Sequence, residues 1–265
     1  MKARALGRLT AMNVMLTLEY RAAVSVFILN SVARPVISLL IWLTVSDQGV
    51  RLPYGRGQLV TYYVVLGVVS MLTATWLDET LPQHIRLGGL SPWLLRPAPY
   101  VFYYISENLG QKLVNLSTLL PLVLVVAFAF RADLRLPTSP LPWLIFAASL
   151  PLAMAIRFLL ELVLCSLAFW VEDVEGVLAL QSVLGAFLAG QYIPLALFPP
   201  SLSGFLDAQP FRYTLSFPLE VLMGTLSAGA LASGFAWASG YCLVLWCCCR
   251  LPWRSGLRAY SATGA

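Results

Sequence analysis

Long runs of apolar residues, separated by short polar connections, dominate the pattern of this 265-residue chain. An α-helix rises about 1.5 Å per residue, so roughly 20 apolar residues cross the hydrocarbon core of a bilayer, about 30 Å thick. The runs of that length cover residues 22–45, 59–77, 100–130, 143–170, 177–198 and 226–249. The pattern therefore predicts an all-α membrane protein with six transmembrane helices, in a single domain of residues 1–265.

Three segments outside these runs have patterns of their own. Residues 1–21 place apolar residues at roughly helical spacing among basic ones, which predicts an amphipathic helix on the membrane surface. Residues 78–99 are too polar to span and too long for a turn, so they predict a loop with a short surface helix. Residues 199–225 are half apolar but broken by prolines, which predicts a hairpin of short helices that dips into one leaflet.

Composition and charge support a membrane protein and orient it. Apolar residues make up 59% of the chain and charged residues 11%, whereas an average soluble domain is about a quarter charged. Segments 1–21, 78–99 and 250–265 hold nine Lys and Arg residues, against five in the opposite loops. The positive-inside rule then predicts both termini in the cytoplasm and the 199–225 hairpin outside. No basic stripe interleaved with aromatics occurs, so nucleic acid is not an expected partner.

Charged residues inside the apolar runs are the most informative polar positions. These candidates for a substrate pathway or an interhelical contact are Arg34, Lys112, Arg157 and Glu161. A charge at the bilayer centre costs about 2.5–3.5 kcal/mol on insertion scales, so these side chains are expected to face protein or water. Arg157 and Glu161 are four residues apart, on one helix face, where they can pair. Two interpretations stay open: a polar transport route, or structural ion pairs that lock helices together.

Motifs of an enzyme or a nucleotide-binding protein are absent from the sequence. The lysines are Lys2 and Lys112, and neither follows a glycine, so no GxxxxGK[ST] phosphate loop exists to bind ATP. HExxH, GxSxG and a paired-carboxylate arrangement suited to catalysis are also missing. His84 is the single histidine, and the five cysteines are interpreted as small packing residues. We therefore predict no catalytic, cofactor-binding or metal-binding residue in this chain.

The order of these elements resembles that of the ABC-2-type transporter permeases, the transmembrane subunits of ABC exporters. Gly88-Gly89-Leu90-Ser91, followed by Leu94-Leu95-Arg96-Pro97, looks like the G-x-L-x-x-x-L-L-R-P stretch of that family's first cytoplasmic loop. Residues 194–200, then Pro210-Phe211 and residues 218–224, look like its proline-broken outer hairpin. The resemblance covers essentially the whole chain, but it does not identify the substrate.

This resemblance implies the permease subunit of an ATP-driven exporter in the bacterial cytoplasmic (inner) membrane. Our hypothesis adds an amphiphilic or lipid-like substrate. A second permease subunit, identical or paralogous, would complete the pathway among membrane lipid. Separate ABC ATPase subunits would bind ATP and Mg²⁺. Two other hypotheses stay open: an ion-gradient-driven secondary transporter with Arg157, Glu161 and Lys112 as relay groups, and a membrane-embedded lipid-modifying enzyme. The sequence shows no inverted repeat, which would support a secondary transporter, and no cluster of His, Asp and Glu, which would support an enzyme.

Two functional surfaces are expected under this interpretation. Leu90, Trp93 and Leu94 are apolar residues outside the predicted transmembrane helices, so we expect them to contact a membrane surface or a groove on a partner. The predicted ATPase-coupling residues are Arg86, Leu90, Trp93, Leu94, Arg96, Glu172, Asp173 and Glu175. The predicted outer gate consists of the hairpin phenylalanines Phe198, Phe205, Phe211 and Phe217. An inert hairpin anchored in the interface is the alternative to a gate.

Overall fold

Helices make up the regular structure of the chain. The computed structural model describes residues 2–19, 21–95 and 101–260, and it contains no strand within them. The α-helices are α1 (Lys2–Glu19), α2 (Arg21–Asp47), α3 (Arg56–Thr73), α4 (Leu77–Arg86), α5 (Ser91–Leu94), α6 (Val101–Ala129), α7 (Pro140–Cys165), α8 (Glu175–Leu188), α9 (Ser203–Ala208), α10 (Ser216–Met223) and α11 (Ala228–Ala259). Short 3-10 helices lie at Ser166–Phe169, Leu195–Leu197, Pro200–Leu202 and Pro210–Thr214.

Four helical stretches among the described residues are long and apolar enough to cross a membrane. They are Arg56–Arg86, Val101–Ala129, Pro140–Phe169 and Ala228–Arg258, and they correspond to the second, third, fourth and sixth predicted spans. The first predicted span lies on α2, where the side chains of residues 21–30 are outside the described part of the chain. The all-α membrane fold is thus confirmed, whereas the six-span layout stays a prediction.

The fifth predicted span, residues 177–198, is wrong in its extent. Helix α8 has only 14 residues, which is about 21 Å of helix and too short for a bilayer core. The chain turns at Gly190, whose φ of +82° lies in the left-handed region. A Cβ at this position would overlap the hydroxyl groups of Tyr62 and Ser216, so the turn requires glycine. Beyond this turn, Pro194 and Leu195 are buried inside the protein.

Side chains from other elements terminate α8. The last carbonyl groups of a helix have no partner within it and must find one elsewhere. Carbonyls at and just beyond the end of α8 accept hydrogen bonds of 2.7–2.8 Å from Gln209 (to Leu188), Ser216 (to Ala189), Tyr62 (to Gly190) and Tyr63 (to Tyr192). This network fixes the end of α8 against α3 and the 199–225 hairpin.

Helix α3 lies at the centre of the bundle. In the stretch Arg56–Arg86, which begins with α3, about 67% of the most apolar 18 residues are buried inside the protein. The corresponding share in Ala228–Arg258, on α11, is 11%, so α11 presents most of its surface to lipid or to a partner. The larger core cluster surrounds α3 and includes Leu59, Tyr62, Leu66 and Phe217. A second cluster joins α4 to α6, α7 and the start of α8. A third, smaller cluster consists of Met71, Trp76 and Leu119.

The predicted loops collect at two opposite ends of the bundle. At the end that contains the 199–225 hairpin, the hairpin end, Arg56 at the start of α3 forms ion pairs with Asp47 at 2.8 Å and Asp133 at 3.1 Å. At the end that contains α4, the α4 end, Ser91 and Tyr260 form a hydrogen bond of 3.2 Å between their hydroxyl groups. Segments predicted to share one side of the membrane therefore lie together.

Helix α1 packs against α6. Asn13 donates a hydrogen bond from Nδ2 to Ser106 Oγ at 3.3 Å. Gly110 of α6 lies so close to Asn13 that a Cβ would come within 2.8 Å of the Asn13 Cβ. The N-terminal segment is therefore a helix, as the sequence predicts, and one of its faces contacts protein. Its contact with a membrane surface stays a prediction.

Candidate functional site

A cavity of about 460 Å³ opens between α2, α3, α7 and α8. Its wall mixes charged, polar and apolar side chains from these helices and from the turn after α8. The lining residues are Ser31, Arg34, Ser70, Met71, Thr73, Ala74, Arg157, Ser182, Val183, Ala186, Gln191, Tyr192 and Leu215. A cavity of this size with convergent polar groups is typical of a site for a small ligand.

Two of the charged residues predicted from the sequence meet at this cavity. Arg34 reaches it from α2 and Arg157 from α7. Arg157 is half-buried, and its Nε is buried without a hydrogen-bond partner. Arg157 therefore faces protein or the cavity, as the cost of exposing a charge to lipid requires, whereas Arg34 lines the cavity but is exposed.

Lys112 and Glu161, the other two predicted residues, lie outside the cavity wall. Both are buried, with 8% and 5% exposure. Glu161 Oε1 accepts a hydrogen bond from the backbone N–H of Asp78 at 3.3 Å, in the first turn of α4. The N-terminus of α4 offers this donor because the first N–H groups of a helix have no partner within it.

The predicted ion pair between Arg157 and Glu161 does not form. The ion pairs of the described residues are Arg56–Asp47, Arg56–Asp133, Arg212–Asp207 and Arg212–Glu220. The spacing of four residues allows a contact, but α4 supplies a backbone donor to Glu161 and the cavity accommodates Arg157. Glu161 therefore contacts the start of α4, whereas Arg157 lines the cavity.

A second cavity, of about 390 Å³, lies at the hairpin end beside a buried ion pair. Arg212 Nη2 donates to Glu220 Oε2 at 2.6 Å, and Arg212 also pairs with Asp207. Burial raises the pKa of Glu220, and the charge of Arg212 opposes that shift. This pair was not predicted from the sequence. The signal was available, since Glu220 is a lone acid within an apolar segment and is expected to need a buried partner.

The four phenylalanines predicted as an outer gate occupy different environments. Phe198 lines the second cavity, and Phe205 is 60% exposed. Phe211 packs against the α8 backbone at Gly185, 3.1 Å from the position of a Cβ there. Phe217 is 2% exposed and lies in the core against Phe235, so it is a packing residue and not part of a surface gate. The gate itself stays a prediction.

The predicted coupling residues at the α4 end are only partly on the surface. Leu90 is fully buried in the second core cluster, so the expectation that it lacks a partner within the chain is wrong. Its neighbours Leu87, Leu94 and Leu95 are exposed by 77%, 42% and 89%. The Trp93 side chain and Arg96 lie outside the described residues.

The remaining predicted coupling residues are exposed at this same end. They are Arg86, Glu172, Asp173 and Glu175. The acidic turn lies beside α4, because Val174 within it belongs to the same buried cluster as Leu90. Asp173 also accepts a hydrogen bond from the Glu175 N–H at 3.0 Å, which starts α8. The α4 end thus combines exposed leucines with an acidic turn.

Apolar helices long enough to span a bilayer, packed around a cavity with polar walls, define a multi-pass helical membrane protein of the transport class. A family model described as ABC-2 family transporter protein matches residues 22–264. The chain belongs to this family, and it is the membrane permease component of an ABC-type transport system. The resemblance seen in the sequence is thereby confirmed. No curated protein and no solved structure matches the chain.

Proposed function

We propose that this chain is the permease subunit of an ATP-driven exporter. Two permease subunits, identical or paralogous, form the pathway, and separate ABC ATPase subunits bind ATP and Mg²⁺. Permeases of this family normally work with such ATPases. The family membership favours this function over an ion-driven transporter or a lipid-modifying enzyme.

The observation that carries the proposal is a direct link between α4 and the cavity. Glu161 of α7 holds the first turn of α4, and Arg157, one turn earlier on α7, lines the cavity. Leu81 and Leu90 further anchor the α4 segment in the second core cluster. A partner that displaces α4 would therefore act on the helix that carries an arginine of the cavity.

The exposed leucines of the α4 end supply the contact for the ATPase. Leu87 and Leu95 are largely exposed although they are apolar, and such residues favour a partner groove or a lipid surface. Glu172 and Asp173 add negative charge beside them. We propose that the ATPase covers this surface, which lies in the cytoplasm of a bacterial cell, under the inner membrane, together with both termini.

The test is co-purification with a co-expressed ABC ATPase of the same operon. Burial of one leucine contributes roughly 1.5–3 kcal/mol, so Leu87→Asp with Leu95→Asp is expected to weaken ATPase binding by more than about tenfold. Leu202→Asp is the matched control, because Leu202 is 43% exposed at the opposite, hairpin end. Full ATPase binding by the double variant, with transport still coupled to hydrolysis, would refute this docking surface.

The orientation has an independent test. Asp207 lies exposed at the hairpin end and Arg258 near the end of α11. With cysteine placed at either position in intact cells, an impermeant reagent is expected to label position 207 and not 258. Labelling of position 258 alone would reverse the assignment.

A further inference from the structure

The two arginines of the cavity form no ion pair within the described part of the chain. The cavity wall contains Arg34 and Arg157 but no aspartate or glutamate. Neither arginine takes part in an ion pair of the described residues. Their guanidinium groups are therefore open to an anion that enters the cavity.

Arg157 provides the sharper observation. Its Nε is buried and has no hydrogen-bond partner, although buried polar groups are nearly always paired. The guanidinium cannot lose its charge to relieve this, because it stays protonated in proteins. The terminal Nη groups of this half-buried side chain are left for an anion in the cavity, and a planar guanidinium matches two oxygens of a phosphate, sulfonate or carboxylate.

The charges around Arg157 leave an excess of positive charge. Lys112 and Glu161 are the neighbours that interact electrostatically with it. Glu161 is already engaged with the first turn of α4 through the Asp78 N–H. Three cations, including Arg34, thus stand against two carboxylates, Glu161 and its neighbour Asp78, and neither carboxylate belongs to the cavity wall.

The rest of the wall indicates a ligand with an apolar part. Met71, Val183 and Leu215 line the cavity together with hydrogen-bonding residues such as Thr73 and Gln191. The volume of about 460 Å³ lies within the range that holds a drug-sized ligand, and it far exceeds the space of a single inorganic anion. An apolar wall next to two cations fits a ligand that has an anionic group and an apolar part.

We propose that the cavity binds amphiphiles with an anionic head group. Arg34 and Arg157 hold the head group, and the apolar wall contacts the tail. This inference rests on the proposed function in one respect, since it treats the cavity as part of the substrate pathway. Binding itself needs no ATPase, so it can be measured on the purified permease alone.

The experiment compares two fluorescent lipids with different head groups, one anionic and one zwitterionic. Binding of NBD-phosphatidylglycerol and of NBD-phosphatidylcholine, with the same acyl chains, is measured by anisotropy in neutral detergent micelles. The anionic lipid is expected to bind at least about tenfold more tightly. Arg157→Gln and Arg34→Gln are each expected to remove most of this preference, and Arg157→Lys to retain part of it.

The controls separate the cavity from general surface attraction. Arg51 is an exposed arginine in the loop at the hairpin end, and Arg51→Gln removes the same charge without touching the cavity. Octyl sulfonate is expected to compete with the anionic lipid, whereas octyltrimethylammonium and inorganic phosphate are not. If Arg157→Gln yields too little folded protein, Arg34→Gln and the wild-type comparison still decide the question.

Several outcomes would overturn the inference. They are equal affinity for the two lipids, an equal loss of preference in Arg51→Gln, and competition by inorganic phosphate as strong as that by octyl sulfonate. A loss of dimer in the Gln variants, with lipid preference unchanged, would assign the arginines to a subunit contact and also refute it. None of these results depends on the ATPase, so the proposed permease function is judged separately by co-purification.

Discussion

The buried ion pair between Arg212 and Glu220 offers the most direct test of the structure. Their side chains are 14% and 9% exposed, and the bond between Arg212 Nη2 and Glu220 Oε2 is 2.6 Å long. It ties the Pro210–Thr214 turn to α10 and so holds the 199–225 hairpin together. We expect Arg212→Gln or Glu220→Gln to destabilise the protein strongly, and the double variant to recover part of the loss.

The magnitude follows from burial. At about 4 Å between charge centres and an effective dielectric constant of about 20, two unit charges attract by about 4 kcal/mol. Desolvation offsets much of this in the intact pair, but removal of one partner leaves the other charge buried alone and costs about 3–5 kcal/mol. Arg212 keeps Asp207 when Glu220 is removed, yet the Asp207 side chain is 63% exposed and offsets little.

The assay is a double-mutant cycle on unfolding free energy, measured by denaturant titration of the purified permease at alkaline pH, where both groups carry charge. The coupling energy between Arg212 and Glu220 is expected to exceed about 1.5 kcal/mol. A matched cycle uses Arg56 and Asp47, which pair at 2.8 Å but are 44% and 63% exposed. Its coupling is expected to stay below about 1 kcal/mol. Equal coupling in the two cycles, or additivity at Arg212–Glu220, would refute the reasoning.

Three further predictions concern stability. Burial raises the pKa of Glu220 above its ordinary value of 4.5, so the folded chain binds a proton at Glu220 more tightly than the unfolded chain does. The free energy of unfolding should therefore fall as the pH rises from the unfolded pKa through the folded pKa of Glu220. Glu220→Gln should remove this pH dependence. Leu90→Ala should cost about 2–5 kcal/mol on denaturation, because Leu90 is fully buried. Gly234→Ala should cost about 1–3 kcal/mol through overlap with the Phe217 ring, whereas Gly240→Ala, with open space around it, should cost nothing in thermal unfolding.

The long helices could be predicted from the sequence because lipid imposes a simple rule on apolar runs. A helix that crosses a bilayer must satisfy its backbone internally over about 20 residues, so length and hydropathy suffice to find α6, α7 and α11. The same rule failed for residues 177–198. Leu180 and Val183 of α8 are exposed, whereas Pro194 and Leu195 beyond the turn at Gly190 are buried by neighbouring protein. Hydropathy alone does not separate these two environments.

The partners of charged residues could not be predicted from spacing. Arg157 and Glu161 lie on one face of α7, and that much the sequence shows. Which neighbour each one meets depends on α4 and α8, which are brought there by the tertiary fold. The break at residues 74–76 turns α4 so that its first turn points at Glu161. A hydrogen bond from a backbone N–H cannot be predicted from the pattern of side chains.

The placement of these two residues on one helix has a thermodynamic consequence. Arg157 contacts the cavity, and Glu161, one turn further on, holds the start of α4. Force that a partner applies to α4 and a ligand that binds at Arg157 therefore act on the same segment of α7. If displacement of α4 changes the affinity of the cavity, linkage requires that occupancy of the cavity changes the free energy of that displacement by the same amount. A ligand that binds the cavity more tightly in one position of α7 then also biases the surface that we propose as the ATPase contact. Substrate stimulation of ATP hydrolysis would need no site other than these two, because α7 joins them directly.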